Sequence, residues 1–131
     1  MDTSEFLELA RILAGAPLPE SKERTSISRA YYSAFLEARA RIERDTQYRI
    51  PRYGAHDKVW KSYHRTTTDA RLKPIGRLLR DLKAQREQAD YDIAVALDPD
   101  ARTEAIGMAE EIRGMLSAIA TVDGCADPKT A

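Results

Sequence analysis

The chain has 131 residues with 21 Lys+Arg and 21 Asp+Glu, so its formal net charge is zero, and 43% of its residues are hydrophobic. This composition excludes a wholly disordered chain, and the length predicts one domain that can bury a core. The lone Cys125 excludes a disulfide framework and a thiolate zinc site, and it favours a reducing, cytoplasmic location. No apolar run is long enough to span a bilayer, and the acidic first residues predict no signal peptide.

The charges are unevenly distributed along the chain. Residues 39–86 hold 14 Lys+Arg against 5 Asp+Glu, and the remainder holds 7 against 16. A basic middle segment can bind a polyanion while the whole molecule stays neutral. The alternative is a self-complementary surface that serves folding or dimerisation. The sequence leaves both interpretations open.

The first half of the chain predicts two helices from the i, i+3, i+4, i+7 spacing of apolar residues. The first ends before Gly15, Pro17 and Pro19, and the second runs from about residue 20 to the mid-forties. The expected apolar faces are Phe6, Leu9, Ala10 and Leu13 in the first helix and Ile27, Ala30, Tyr31, Ala34, Ala38 and Ile42 in the second. Residues 45–54 then predict a loop, because they contain Pro and Gly.

The second half predicts three more helices and no strand. A short third helix carries His56, Val59, Trp60 and Tyr63 on one face, and Thr or Asp within residues 65–69 can cap the fourth helix. The fourth carries Leu72, Ile75, Leu79, Leu82, Arg86 and Ala89 on one face. The fifth begins with Asp98 as N-cap and Pro99 in the first turn. The predicted fold is all-α, an up-and-down bundle of four to five helices over residues 1–120, followed by a flexible tail at 121–131.

Polar residues that stand on apolar faces are the candidate functional residues. Arg86 lies on the core-facing row of the fourth helix, where a guanidinium must be paired, solvated in a groove or placed at a helix end. It either forms a structural pair with Asp90, one turn later, or binds phosphate in a cleft. His56, at the head of the third helix, is either a half-buried structural histidine or a general acid–base.

The adjacent residues Tyr31 and Tyr32 leave the second helix about 100° apart, so we expect them to have different roles. Tyr31 is expected at the centre of the apolar face with its hydroxyl reaching another helix. Tyr32 is expected on the flank, lining a helix seam or a dimer interface. Ordinary core packing is the alternative for both. The chain has no glycine-rich phosphate loop, no histidine pair at metal-ligand spacing and no nucleophile elbow.

Two motifs of this chain resemble the HEPN superfamily, and in particular its small stand-alone prokaryotic members. The first is SRAYY at residues 28–32, and the second is RxxADY at residues 86–91. His56 matches a histidine that is common near the head of the intervening helix. The resemblance covers roughly residues 5–120. It implies a HEPN-like bundle of four to five helices that is usually dimeric. We further predict a homodimer packed through the second and fourth helices.

The resemblance also implies a function. It suggests a toxin-like, RNA-targeting component of a prokaryotic toxin–antitoxin or defence system, with a cognate antitoxin or nucleotidyltransferase as partner. Many HEPN domains are metal-independent ribonucleases, so no metal or cofactor is expected. The candidate site residues are Arg86, Asp90, Tyr91 and His56 in catalysis and Arg29, Tyr32 and Lys83 in binding RNA or a nucleotide; all of them except Lys83 lie in the motifs or match the histidine that carry the resemblance.

The chain departs from the ribonuclease signature of that superfamily. The signature is an Arg followed after four to six residues by a His, and no His follows Arg86 at this spacing. The pair Arg49 and His56 has the spacing but straddles the predicted loop. Three alternatives therefore stay open: a ribonuclease, a non-catalytic module that binds a nucleotidyltransferase or a nucleotide, and a structural dimerisation bundle without ligand.

Overall fold

The computed structural model describes residues 2–14, 20–91 and 100–129, with the side chains of 12–14, 20–23, 90 and 91 left aside. Its helices are α1 (Ser4–Ala14), α2 (Glu20–Thr46), α3 (Ala55–His64), α4 (Lys73–Tyr91) and α5 (Ala101–Ser117). A single 3-10 turn, Ala70–Leu72, leads into α4. The predicted all-α bundle of five helices is confirmed, and the described ranges contain no strand.

Helix α2 lies at the centre of the bundle and packs against each of the other four helices. The predicted apolar face of α2 is confirmed, since all six of its members are at most 1% exposed. Three of the six are alanines, whose small side chains allow neighbouring helices to approach closely. In α1 the prediction for Ala10 is confirmed, since this residue is fully buried, but the prediction for Leu9 is wrong. Leu9 is 40% exposed, and Leu7 faces the core in its place.

The third helix departs from simple up-and-down alternation because it runs parallel to α2. The loop after α2 returns along that helix: the Ile50 amide donates to Glu43 Oε2 over 2.9 Å, and Arg39 donates to the Ile50 carbonyl over 3.1 Å. Helix α3 then begins beside Tyr31, and its last turn reaches Ala38, whose carbonyl accepts the Tyr63 hydroxyl at 2.8 Å. The return loop therefore determines where His56 lies.

Helices α3 and α4 cross closely at a glycine. A Cβ added to Gly76 would lie 2.4 Å from the backbone nitrogen of His64, far inside van der Waals contact. The absence of a side chain at this position therefore allows the crossing. This contact fixes α3 against α4 at the end opposite His56.

Arginines from one helix bind carbonyl groups at the end of another. Arg24 of α2 donates to the Ala89 carbonyl near the end of α4 over 2.8 Å. Arg41 of α2 donates to the carbonyls of Leu116 and Ile119, at and beyond the end of α5, over 2.5 and 3.0 Å. The last carbonyls of a helix have no intrahelical partner, and the bond from Arg24 supplies one to Ala89 near the end of α4. The Leu116 carbonyl also accepts the Ile119 amide at 3.2 Å, so the bond from Arg41 adds a second donor there.

The segment after α5 differs from the expected flexible tail because residues 118–129 pack on the bundle. Val122 is fully buried, and its amide donates to Asp45 Oδ2 over 2.8 Å. The Thr66 hydroxyl donates to the Gly124 carbonyl over 2.5 Å, and the Ala126 amide donates to the Ser62 carbonyl over 2.8 Å. This segment has no helical periodicity, so its sequence does not predict that Val122 is buried.

The predicted helix caps have mixed outcomes. Asp69 caps the turn before α4, since its carboxylate accepts the Arg71 amide at 3.1 Å. The predicted cap Asp98 and the following Pro99 lie outside the described residues, and the described part of α5 begins at Ala101. Across the described ranges, none of the helices combines the length and the apolar character needed to cross a membrane.

Candidate functional site at the seam of α2, α3 and α4

Arg86 of α4 faces inward, as its position on the apolar row predicts. Arg86 is 8% exposed. Its guanidinium carbon lies 5.4 Å from the ring centroid of Tyr31 and 5.4 Å from that of Tyr32. A cation near the faces of two aromatic rings is attracted by their quadrupoles, and this attraction strengthens as water is excluded. We refer to Arg86, Tyr31, Tyr32 and His56 as the Arg86 cluster.

The two adjacent tyrosines of α2 share one cation, although the sequence suggested separate roles. Tyr31 is 1% exposed and Tyr32 is half-buried, and their rings meet edge to face with centroids 5.5 Å apart. The roughly 100° between them on the helix leaves room for the Arg86 guanidinium to contact both rings. The expectation that the Tyr31 hydroxyl reaches another helix is confirmed by its contact with α3.

His56 completes the Arg86 cluster from the first turn of α3. Its Nδ1 lies 2.6 Å from the Tyr31 hydroxyl oxygen, and its ring stacks on Phe35 with centroids 4.3 Å apart. Burial, together with the nearby charges of Arg86 and Lys83, lowers the pKa of His56 below its ordinary 6.5. His56 is therefore neutral near pH 7.

The protonation of Tyr31 decides the direction of this hydrogen bond. Burial raises the pKa of Tyr31 far above its ordinary 10, so the phenol keeps its proton. Among the described residues His56 Nδ1 is the one hydrogen-bond partner of this hydroxyl. A buried phenol satisfies its proton by donating it, which places the remaining imidazole proton of His56 on Nε2. Nε2–H is thus the group that His56 can offer to a ligand.

Phe35 is a residue of this site that the sequence-based selection of candidates missed. It is 3% exposed, its ring stacks on that of Tyr31 with centroids 5.7 Å apart, and it also supports the ring of His56. The available signal is its position four residues after Tyr31, on the same side of α2. Phe35 fixes the plane of the imidazole.

Lys83, one turn before Arg86, is paired with carboxylates. Its Nζ lies 2.6 Å from Glu87 Oε1 and 3.2 Å from Asp57 Oδ1. Asp57 also accepts the Trp60 indole N–H at 2.9 Å, and this bond, followed by Lys83, lowers the pKa of Asp57. Lys83 therefore borders the Arg86 cluster, but its charge is already balanced.

The other predicted site residues have different positions. The guanidinium of Arg29 lies over the ring of Phe6 at 5.6 Å, and Phe6 in turn lies 6.4 Å from Tyr32, so Arg29 flanks the cluster through Phe6. The side chains of Asp90 and Tyr91 lie outside the described residues, although the backbone of both belongs to the last turn of α4. The structure therefore brings together Arg86, His56 and Tyr32, with Lys83 and Arg29 at the border.

The chemistry of the cluster suits an anion. A guanidinium and an imidazole N–H both donate hydrogen bonds, and neither neutral His56 nor the tyrosines carry negative charge. In the ranges that the structure covers, no group of three or more His, Cys, Asp or Glu could hold a metal ion. A cleft of about 590 Å³ between α1 and α5 is a separate feature, lined by residues such as Glu8, Glu110 and Arg113, and it shares no residue with the cluster.

The chain is similar in sequence to a known archaeal protein. An uncharacterized protein of the archaeon Methanocaldococcus jannaschii is 34% identical over 109 residues, an alignment that covers 71% of this chain. The chain spans about 62% of the length of that relative. No protein-family model matches the sequence. No solved structure matches it either.

Proposed function

We propose that the chain is a HEPN-like protein that acts as the toxin-like, RNA-targeting component of a prokaryotic toxin–antitoxin or defence system. The observation that carries this proposal is the Arg86 cluster. Tyr31 and Tyr32 of the first sequence motif contact Arg86 of the second, and both tyrosines also contact His56. The excess of positive charge over residues 39–86 adds the electrostatic attraction that an RNA ligand needs.

In this proposal Arg86 binds a phosphate of the RNA backbone and His56 donates a hydrogen bond through Nε2. A guanidinium is permanently charged, and its planar fork matches phosphate oxygens. The two tyrosine rings hold the guanidinium, so less side-chain freedom is lost when a phosphate binds. If the protein also cleaves RNA, the residues of the cluster stabilise charge and move protons without a metal ion.

A homodimer packed through α2 and α4 belongs to the same proposal, as does a cytoplasmic location. Both helices contribute to the cluster, so packing of two copies along them would bring two Arg86 clusters to one groove. Light scattering of the purified protein at micromolar concentration tests this arrangement. A dimer is expected, and a monomer would remove the two-subunit site.

Substitution of Arg86 tests the proposed function. Purified wild type, Arg86→Lys and Arg86→Met are incubated with labelled tRNA and mRNA fragments in the presence of EDTA, and the same genes are expressed to measure growth inhibition. We expect loss of RNA cleavage and of growth inhibition in both variants. Arg80→Ala is the matched control, because Arg80 is an exposed arginine of the same helix that pairs with Asp81.

Circular dichroism of each Arg86 variant separates loss of function from loss of fold. Folded variants that cut RNA and arrest growth like the wild type would remove Arg86 from the proposed function. Wild-type protein that neither cuts nor binds any RNA tested would contradict the RNA-targeting role as a whole.

A second candidate function is a non-catalytic module that binds a cognate nucleotidyltransferase or a nucleotide through the same cluster. The specific observation in its favour is that Nδ1 of His56 is occupied by the Tyr31 hydroxyl, which leaves no basic imidazole nitrogen for a substrate. Thermal unfolding with and without nucleotides tests this candidate, since a ligand that binds the native state raises the midpoint. Metal-independent cleavage of RNA by the purified protein would contradict it.

A further inference from the structure

Tyr53 is the most exposed aromatic residue among those that the structure describes. It is 94% exposed, whereas the other described tyrosines are buried or half-buried. A single exposed ring is common on protein surfaces, so its meaning depends on the groups beside it. A ring that stands next to cations can stack on a nucleic-acid base. Tyr53 stands in the loop between α2 and α3, two residues after Pro51 and directly before Gly54.

The loop that carries Tyr53 is fixed at both of its ends. Ile50 is 2% exposed, and its amide and carbonyl bind Glu43 and Arg39 of α2, respectively. At the other end Gly54 has a φ of 72°, a left-handed conformation that favours glycine, and the chain turns there into α3. Tyr53 therefore extends from an anchored base.

Cations accompany Tyr53 on this loop. Arg49 and Arg52 are both exposed, and neither forms an ion pair or hydrogen bond with any residue that the structure describes. The nearest carboxylates along the chain are engaged elsewhere: Asp45 binds Arg44 and the Val122 amide, and Asp57 binds Lys83 and Trp60. The exposed face of the loop thus carries an aromatic ring with unneutralised positive charge.

We propose that residues 49–53 form a docking loop for single-stranded RNA, in which a base stacks on Tyr53 and adjacent phosphates contact Arg49 and Arg52. Exposed aromatic rings beside cations are the usual elements of single-strand binding, because every base has a π-face and the backbone is a regular polyanion. An acidic peptide would use the two arginines but would gain little from the ring.

The position of the loop links this surface to the Arg86 cluster. His56 follows Tyr53 by three residues, at the head of the helix into which the loop leads. A strand held on Tyr53 is thereby delivered toward the His56 and Arg86 side chains. The inference rests on the proposed function for this second contact, whereas stacking on Tyr53 can be measured independently.

Fluorescence anisotropy with a labelled, unstructured RNA of about 12 nucleotides tests the docking loop, since single-strand sites span roughly 4–16 nucleotides. We expect Tyr53→Ala to raise Kd about ten-fold, because stacking of one base contributes roughly 1–3 kcal/mol. Tyr53→Phe keeps the ring and should bind like the wild type. Tyr53 is exposed, so neither variant should alter the fold.

The arginines of the loop have a separate signature. The double variant with Arg49→Ala and Arg52→Ala should weaken binding and reduce the slope of log Kd against log salt by about 1.4, since each phosphate contact with a single strand contributes roughly 0.7. Arg80→Ala is the control, because Arg80 is exposed on α4 and paired with Asp81. Its salt slope should equal that of the wild type.

The outcomes distinguish the docking loop from the proposed function. Unchanged RNA affinity in Tyr53→Ala would overturn the docking loop, even if Arg86→Lys abolishes cleavage. Weaker binding in Tyr53→Ala, with cleavage absent in every variant, would support the docking loop and count against the ribonuclease. Competition with polyglutamate gives a further test. If polyglutamate displaces the labelled RNA as effectively as unlabelled RNA does, and equally from wild type and Tyr53→Ala, binding depends on charge alone. That result would also overturn the docking loop.

Discussion

The hydroxyl of Tyr31 lies 2.6 Å from Nδ1 of His56, and this contact joins α2 to the head of α3. Burial keeps the phenol protonated and the imidazole neutral, so each group stabilises the protonation state in which the other is found. The same contact decides which nitrogen of His56 faces a ligand. It therefore links the stability of the bundle to the chemistry of the Arg86 cluster.

Tyr31→Phe removes this hydrogen bond and keeps the ring that packs on Arg86 and Phe35. We expect the free energy of unfolding to fall by about 1 kcal/mol, the typical net value of one hydrogen bond. The pKa of His56 should rise, because its neutral form loses a donor and Nδ1 becomes free to take a proton. Urea unfolding and NMR titration of the imidazole measure the two effects. Tyr53→Phe, which removes an exposed hydroxyl, should change neither.

The lowered pKa of His56 predicts a dependence of stability on pH. As pH falls below 6.5, His56 becomes protonated in the unfolded chain while it remains neutral in the folded chain. The free energy of unfolding therefore falls as pH decreases. The loss continues until pH passes the lowered folded pKa, and stability from this group is complete above about pH 6.5. In His56→Gln the free energy of unfolding should change less between pH 5 and 7 than in the wild type. If this variant keeps the full dependence on pH, the dependence comes from another group.

Arg86 should influence the titration of His56 even where RNA is absent. Arg86→Met removes a positive charge that lowers the pKa of His56, so that pKa should rise. Arg86→Lys keeps the charge but loses the planar stack on two rings, and we expect a loss of roughly 1–2 kcal/mol in stability. NMR titration and urea unfolding separate the effect of charge from the effect of stacking. Equal His56 titrations in wild type and Arg86→Met would contradict the proximity of the two groups.

Gly76→Ala tests the close crossing of α3 and α4. The added Cβ would meet the backbone of His64, which cannot rotate away as a side chain can, and we expect a loss of roughly 1–3 kcal/mol or more. Gly107→Ala is the matched control within a helix, because a Cβ there meets nothing within 4 Å. That control should stabilise the protein by up to about 1 kcal/mol through helix propensity. A lower thermal unfolding midpoint for Gly76→Ala and a higher one for Gly107→Ala would confirm the close crossing of α3 and α4.

Val122→Ala tests the packing of the segment after α5. Val122 is fully buried, so removal of its two methyl groups should cost about 1–3 kcal/mol through lost burial and a residual cavity. Asp123→Ala, at the adjacent exposed position, should be nearly neutral. Limited proteolysis provides a second measurement, since a packed segment resists cleavage. Equal stability of both variants would indicate that this segment does not contribute to the core.

The sequence predicts the helices well because their apolar spacing is a local property. The face of α2 and the inward position of Arg86 follow from periodicity alone. The contact between Tyr31 and His56 depends on the return of residues 47–54 along α2, which no local pattern specifies. Phe35 and Val122 were missed for different reasons: Phe35 reads as ordinary core, and Val122 stands outside any periodic segment. Long-range placement is therefore the part that the sequence leaves undetermined.

The bonds that Arg24 and Arg41 of α2 form with carbonyls of neighbouring helices restrict sliding of α2 along its axis. Arg24 and Arg41 stand 17 positions apart on one rigid helix, and each is bonded to the terminal region of a different neighbour. Sliding α2 by one turn, about 5.4 Å, would break both sets of bonds together. The axial position of α2 relative to α4 and α5 is therefore fixed. A ligand that binds at the seam of α2, α3 and α4 must be accommodated by rotation of side chains and by movement of the loop preceding α3.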